Sequence, residues 1–266
     1  MHIVIPYSYK LCTLYGPFSI NFYGLFIALA LVICMKLISR NPRYAQLHLQ
    51  HAFIDIICIA IFAGIVGGRL LAVISSPESY THITDFFAIW EGGFSAQGTI
   101  LGVVIVAPSY IRKIKLPVLT VCDLFAIYAP LFQAIARLGC LFAGCCYGLP
   151  TKSLLSIIYT HPNTIAPHDM LMHPTQLYSS LFLFFIFLYM FFRAQYHTRY
   201  EGHLFLIYLM LASAERFIVD FWRADRIISL HSLLSFHQLV ALFIFCVTLG
   251  MHFFLKHQKT KGNAYV

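Results

Sequence analysis

Arg137-Leu-Gly-Cys-Leu-Phe-Ala-Gly-Cys-Cys-Tyr-Gly148 closes a long apolar segment and sets a full charge among small and apolar residues. An arginine stays ionised, so one placed near hydrocarbon needs an anion or strong acceptors beside it. Inside a membrane the most available anion is a lipid phosphate. The other segments read as walls around this stretch. The chain is 60% hydrophobic and 11% charged, whereas soluble domains carry about 45–50% apolar and about 25% charged residues. The fold class is therefore all-α, a polytopic membrane protein. A formal net charge of +8 fits basic loops against an anionic membrane surface, and no nucleic-acid partner is expected.

Spanning a bilayer takes about 20 mostly apolar residues. Seven segments qualify, near 18–39, 52–74, 94–110, 117–142, 175–193, 203–222 and 236–256. The third is short and contains glycine, which leaves a partly re-entrant path open. Lys36, Arg40, Arg43, Arg112, Lys113, Lys115, Arg193, Arg199, Lys256, Lys259 and Lys261 fall on one side, and Lys10, Lys152, Arg223 and Arg226 on the other. Basic residues mark the cytoplasmic side, so the expected N-terminus is outside and the C-terminus cytoplasmic. Arg137 and Arg216 then belong to the outer half of the membrane. Residues 1–266 read as one transmembrane domain, with a short periplasmic loop about 149–172 and a short basic tail, 257–266. No cleavable signal peptide, internal repeat or soluble domain is expected. Transporters often show repeat symmetry; its absence and the outer placement of the charges disfavour that class.

Several polar elements stand out along the chain. Tyr23, in Asn21-Phe-Tyr-Gly24, is either an interfacial belt residue or a hydroxyl aimed at a headgroup. Gly67-Gly68-Arg69 permits close helix approach, and Arg69 either snorkels to the interface or serves a site. Trp90-Glu-Gly-Gly-Phe-Ser-Ala-Gln-Gly98 suggests a tight entry whose backbone N–H groups are available to an anion. Asp123 lies fourteen residues before Arg137, about 20 Å along a helix, so it caps or pairs elsewhere. His173-Pro-Thr-Gln-Leu-Tyr178 is structural or lines a polar pocket. In Glu215-Arg-Phe-Ile-Val-Asp-Phe-Trp-Arg223, Arg216 and Asp220 are four apart and can pair, and Arg223 continues the same stripe. Charges within a span mark a functional site or a buried ion-pair network.

The eight cysteines do not form a small-domain disulfide framework. Cys12, Cys34, Cys58, Cys122 and Cys246 read as small core or lipid-facing residues. Cys140, Cys145 and Cys146, with His173, lack the C-x2-C spacing of ordinary zinc sites. A disulfide from Cys140 to either partner is chemically possible, and free buried thiols are the default. No metal and no cofactor is expected.

Taken in order, Asn-Phe-Tyr-Gly, Gly-Gly-Arg, Trp-Glu-Gly-Gly-Phe-Ser, Asp-x6-Pro, Arg-Leu-Gly-x4-Gly-x3-Gly, His-Pro-Thr-Gln-Leu-Tyr and Arg-Phe-Ile-Val-Asp-Phe-x-Arg resemble the bacterial prolipoprotein diacylglyceryl transferases. The resemblance covers roughly residues 20–245. It implies a multi-pass enzyme of the bacterial inner (cytoplasmic) membrane, with seven helices and the N-terminus out. Such enzymes move a diacylglyceryl group from phosphatidylglycerol to the lipobox cysteine thiol of a prolipoprotein signal peptide. The resemblance implies catalytic roles for Arg137, Arg216 and Tyr23, and Gln97 is a further catalytic candidate by its position. The family's signature glycines fall on Gly139, Gly144 and Gly148, and Gly98, Cys140, His173, Gln176, Asp220, Arg223 and Arg69 join them as substrate-binding candidates. Two guanidinium forks in a low-dielectric site suit a departing phosphate.

The departures are specific. Gln97 stands where the family has a histidine, and Gln cannot hold a proton as a general base. Cys140 replaces an asparagine, Cys145 an acidic residue and Ala212 a tyrosine. The donor half of the mechanism is kept more fully than the acceptor half. A paralogue with a different acceptor, and a non-catalytic membrane protein that binds lipid or a partner, are the alternatives.

Overall fold

The computed structural model describes residues 2–8, 10–15, 18–79, 86–87, 93–162, 164–196, 200–226 and 234–262. Trp90, Glu91 and Gly92, which the sequence singled out, lie outside them. Among the described residues the helices are α1 (Phe22–Ser39), α2 (Pro42–Gln46), α3 (Phe53–Ser75), α4 (Ala96–Lys113), α5 (Val118–Ala143), α6 (Thr175–Arg193), α7 (His203–Val219) and α8 (Phe236–Gly262). Every long one falls on an expected apolar segment. Five stretches, Phe22–Ser39, Phe53–Ser75, Val118–Ala143, Thr175–Arg193 and Phe236–His257, are long and apolar enough to cross a membrane. Many of their large apolar side chains are exposed, including Val32, Phe62, Phe185 and Phe243. That is the surface hydrocarbon would solvate, since a soluble monomer does not carry apolar patches on this scale.

Two corrections concern helix limits. The third segment is one unbroken helix, α4, started by Ser95, whose side chain accepts a bond from the Gly98 N–H. The sixth is shorter than its apolar run. α7 ends at Val219, a single 3-10 turn follows over Asp220–Trp222, and Arg223 is already extended (φ −80°, ψ 142°). Arg223 therefore does not continue the Arg216 stripe.

The chain forms two compact units, one of residues 1–13, 20–38 and 122–266, the other of 14–19 and 39–121. In the second, α3 packs on α4 through glycines. A Cβ on Gly98 would lie 2.3 Å from the Gly67 carbonyl oxygen, so any side chain there forces the helices apart. This is the close approach the Gly67-Gly68 pair predicts. Asp55, in the first turn of α3, accepts from the Tyr110 hydroxyl at 3.4 Å.

In the first unit, β1 (His2–Ile5) runs parallel to β2 (Ser156–Tyr159). Ile5, Ile157, Tyr159, Ala166 and Met172 bury a small core against Leu141 near the end of α5. The Tyr159 hydroxyl donates to the Leu141 carbonyl at 2.8 Å. The segment after α5 is thereby folded down on the helix that carries Arg137. Asp123 caps α7, accepting from the Gly202 and Phe205 N–H groups at 2.9 and 2.8 Å. A carboxylate at a helix N-terminus satisfies orphan donors and the dipole together. The other end of α7, which carries Arg216, is thus held at a set depth beside α5. The start of α8 is a capping box: the Ser235 N–H donates to Gln238 Oε1 (2.9 Å) and the Gln238 N–H to Ser235 Oγ (3.1 Å).

Candidate functional site

Arg137 lies two turns before the end of α5, between the first turn of α1 and the end of α7. Cys146, Cys140 and Glu215 are its electrostatic neighbours. Among the described residues it makes no ion pair and no hydrogen bond. Tyr23 adjoins the same group: Cys140, Cys145, Arg137 and Cys146 are its neighbours. α1 comes this close because of Gly139, where a Cβ would sit 2.9 Å from Phe26 Cβ and 3.2 Å from Tyr23 Cα. Phe22 and Phe26 stack on Phe142 beside it.

α7 contributes two charges on different faces. Glu215 is buried and accepts from the Ser179 hydroxyl of α6. Arg216 keeps 26% of its side chain exposed and pairs with the buried Asp220 at 3.4 Å. Asp220 also accepts from the Ser235 hydroxyl and faces Arg226 Nε at 3.7 Å. Arg226 is further held by Gln238 (3.0 Å) and lies over the Phe221 ring. Arg223 is buried and bonds Asp225 with both Nε (2.8 Å) and Nη2 (2.5 Å). Burial opposes the charge of each partner. The bidentate contact outweighs it, leaving the Asp225 carboxyl below its usual range and the Arg223 guanidinium above its own. Burial pushes the Tyr159 phenol well above its usual range.

The turn after α5 brings the cysteines in. Gly144 (φ +70°) ends the helix, and the Gly144 and Cys145 N–H groups bond back to the Leu141 and Cys140 carbonyls. Cys146 also sits at positive φ (58°), uncommon for a side chain with a Cβ. Gly148 then pairs with Arg223 as an isolated antiparallel bridge, and a Cβ there would meet the His173 carbonyl at 2.4 Å. This bridge places Arg223 beside Cys146. Thr175 and Gln176 open α6 and hold the turn, the Thr175 hydroxyl donating to the Cys146 carbonyl and Gln176 Nε2 to the Cys145 carbonyl, both at 2.8 Å. Gln176 is 1% exposed, and its Oε1 has no hydrogen-bond partner among the described residues. His173 bonds Tyr178 (3.3 Å) and is not part of the sulfur cluster.

The cysteines are free thiols. The Sγ atoms of Cys140, Cys145 and Cys146 lie within 4.8 Å of one another.

Arg69, Gln97 and Gly98 belong to the second unit. Arg69 does not snorkel to the surface: it is 3% exposed, donates to the Phe86 and Gly93 carbonyls at 3.1 and 3.2 Å, and lies over the Phe94 ring. Gln97 is exposed in the first turn of α4 and accepts from the Ser95 hydroxyl at 3.2 Å.

The sequence reading missed Ser179, Asp225, Arg226, Ser235 and Gln238. Two signals for them were present. Arg-Ala-Asp-Arg at 223–226 is a dense charge run, and Ser-x-x-Gln before an apolar run is a helix-start signature. Ser179 carries no signal of its own within an apolar helix.

A family model described as prolipoprotein diacylglyceryl transferase matches residues 10–254. The chain belongs to this family of transferases. A phosphatidylglycerol–prolipoprotein diacylglyceryl transferase of Clostridium tetani is 33% identical over 223 residues, covering 83% of this chain and 87% of its own length. One from Dehalococcoides mccartyi is 33% identical over 251 residues, 94% of each chain. One from Thermotoga maritima is 29% identical over 217 residues, 79% of this chain and 73% of its own. The likeness thus covers both units of this membrane protein and every residue of the site.

Proposed function

We propose that the chain transfers a diacylglyceryl group from phosphatidylglycerol to the lipobox cysteine thiol of a prolipoprotein signal peptide, with Arg137 and Arg216 taking up the phosphate charge. The observation that carries this is a charge imbalance. Among the described residues of this unit's site, Arg137, Arg216, Arg223 and Arg226 face the carboxylates Glu215, Asp220 and Asp225. One positive charge is left over, and Arg137 is the cation without a partner among the described residues. A phosphodiester carries one negative charge. As the carbon–oxygen bond breaks, that charge concentrates on the leaving phosphate. Fixed guanidinium donors in a dry site stabilise it most at that moment.

The other assignments follow from position. Tyr23 offers a hydroxyl beside Arg137. Asp220 aims Arg216, and Arg223 anchors the post-α7 segment on Gly148. Gly139, Gly144 and Gly148 let backbone close around the bound lipid, with Cys140, His173 and Gln176 lining the same turn. Arg69 has a holding role, through the Phe86 and Gly93 carbonyls, and does not touch substrate. The protein crosses the bacterial inner membrane seven times, N-terminus outside, so that the site meets lipid in the outer leaflet.

Labelled phosphatidylglycerol and a lipobox peptide, mixed with the purified protein, should give a thioether-linked diacylglyceryl peptide. Arg137→Ala and Arg216→Ala should each abolish it while the protein still inserts. Full activity in either variant removes the phosphate role. A second reading, a different acceptor, is favoured by the lost polar partners at Gln97, Cys140, Cys145 and Ala212. It predicts lipid turnover without peptide product. A chain that binds lipid without turnover is the non-catalytic alternative.

A further inference from the structure

We propose that Cys140, Cys145 and Cys146 form a three-thiolate site for a zinc-class divalent cation, whose open fourth position takes the acceptor thiol. This rests on the transferase reading above and supplies what that reading lacks, a way to make a thiolate without the family's histidine.

Spacing alone argues against a metal here, because no C-x2-C pair is present. The folded distances argue the other way. Zinc binds thiolate at about 2.3 Å, so three sulfurs of a tetrahedral site lie roughly 3.8 Å apart. The three Sγ atoms, all within 4.8 Å of one another, are about 1 Å from that arrangement, a distance side-chain rotation covers. The backbone is already wound around this point. Gly144 and Cys146 both take positive φ, and the turn is tied back to Cys140 through its carbonyl.

The support behind the cysteines is also built. Thr175 and Gln176 clamp the Cys146 and Cys145 carbonyls, the kind of outer contact that orients metal ligands. Gln176 Oε1, on the side chain that holds the Cys145 carbonyl, is buried and has no hydrogen-bond partner among the described residues. Three thiolates on a divalent cation leave one net negative charge, and the Arg223 guanidinium, itself held by Asp225, stands beside Cys146 to face it, which leaves Arg137 for the lipid phosphate. An exclusively structural zinc site would be closed by a fourth protein ligand. Among the described residues no fourth His, Cys, Asp or Glu joins the group.

The chemistry fits the reaction. A metal-bound thiol is deprotonated outright, and the thiolate is the nucleophile. The acceptor thiol binds and releases its proton to solvent. Its sulfur attacks the glycerol carbon, the C–S bond forms, and the C–O bond to phosphate breaks. The electron pair leaves on glycerol phosphate, beside Arg137 and Arg216. The neutral thioether is a poor ligand and departs. Neither oxidant nor reductant is needed.

The test uses the reduced full-length protein in detergent, loaded with cobalt(II) or zinc(II). One cobalt per chain is expected, with sulfur-to-metal absorption for three thiolates. A lipobox peptide should raise that absorption by one third, and the same peptide with serine for cysteine should not. Cys140→Ser, Cys145→Ser and Cys146→Ser should each lower it. Chelation should cut transfer by about 10²-fold, the scale of general-base catalysis, and zinc should restore it. A combined Gln97→His, Cys140→Asn, Cys145→Glu variant carries the family's residues, and its transfer should resist chelation. No metal bound by the reduced protein, no response to the peptide thiol, or transfer unaffected by chelation overturns the proposal and leaves the transferase reading standing. Peptide coordination without lipid transfer upholds the metal–thiol site and removes the transferase reading.

Discussion

Arg69 and Arg137 each lie in the C-terminal part of an apolar helix, one in each unit. Arg69 is 3% exposed and spends its donors on two backbone carbonyls and an aromatic face. Arg137 makes no ion pair or hydrogen bond among the described residues, and its neighbours are thiols, Glu215 and a like charge. Charge in an apolar helix therefore does not by itself mark a reactive site. Saturation of the donors separates Arg69, which holds backbone carbonyls, from Arg137, whose donors stay open among the described residues.

The largest expected effect tests the unsaturated member. Arg137→Ala should lower transfer by about 10²–10³-fold, the loss seen when one transition-state donor is removed, with unfolding temperature nearly unchanged. Arg69→Ala should do the opposite. It removes the shared donor of the Phe86 and Gly93 carbonyls and empties the space of a 3% exposed side chain, so thermal unfolding in detergent shifts down while transfer per folded molecule holds. A variant at Arg69 that unfolds normally and loses transfer would make it a ligand-binding residue and erase the contrast.

Gly98→Val sharpens the same point without touching charge. Its Cβ meets the Gly67 carbonyl, and overpacking of about 1–3 kcal/mol should appear as lost stability. Asp220→Asn removes the shared partner of Arg216 and Arg226. Transfer should fall about tenfold, near 1.4 kcal/mol, mostly through KM for the lipid; a pure kcat effect would place Asp220 in the chemistry instead.

The smallest effect concerns Asp225. Its folded pKa lies below the unfolded value near ~3.9, because of Arg223. The stability it contributes is present above that value and fades as pH falls through the lower folded one. With its side chain 51% exposed, solvent screening keeps the contribution small. Asp225→Asn should be slightly less stable than the parent at neutral pH, and the gap should close in acid. A gap that persists at low pH would assign it to packing rather than charge.

The apolar runs, the paired glycines at 67 and 68, a capping role for Asp123 and the placement of Arg137 and Arg216 within apolar helices were legible in the chain. Each depends on local composition or on helical spacing, which a sequence displays directly. The span 203–222 was read too long, since an apolar run does not show where a helix yields to a 3-10 turn. Arg69 was left between two roles because burial depends on the segment that folds over it. The sulfur cluster, the Gly148–Arg223 bridge and the empty acceptor on Gln176 were decided only by tertiary structure. Left-handed turns at Gly144 and Cys146 and the clamp from α6 bring together groups that no sequence period relates.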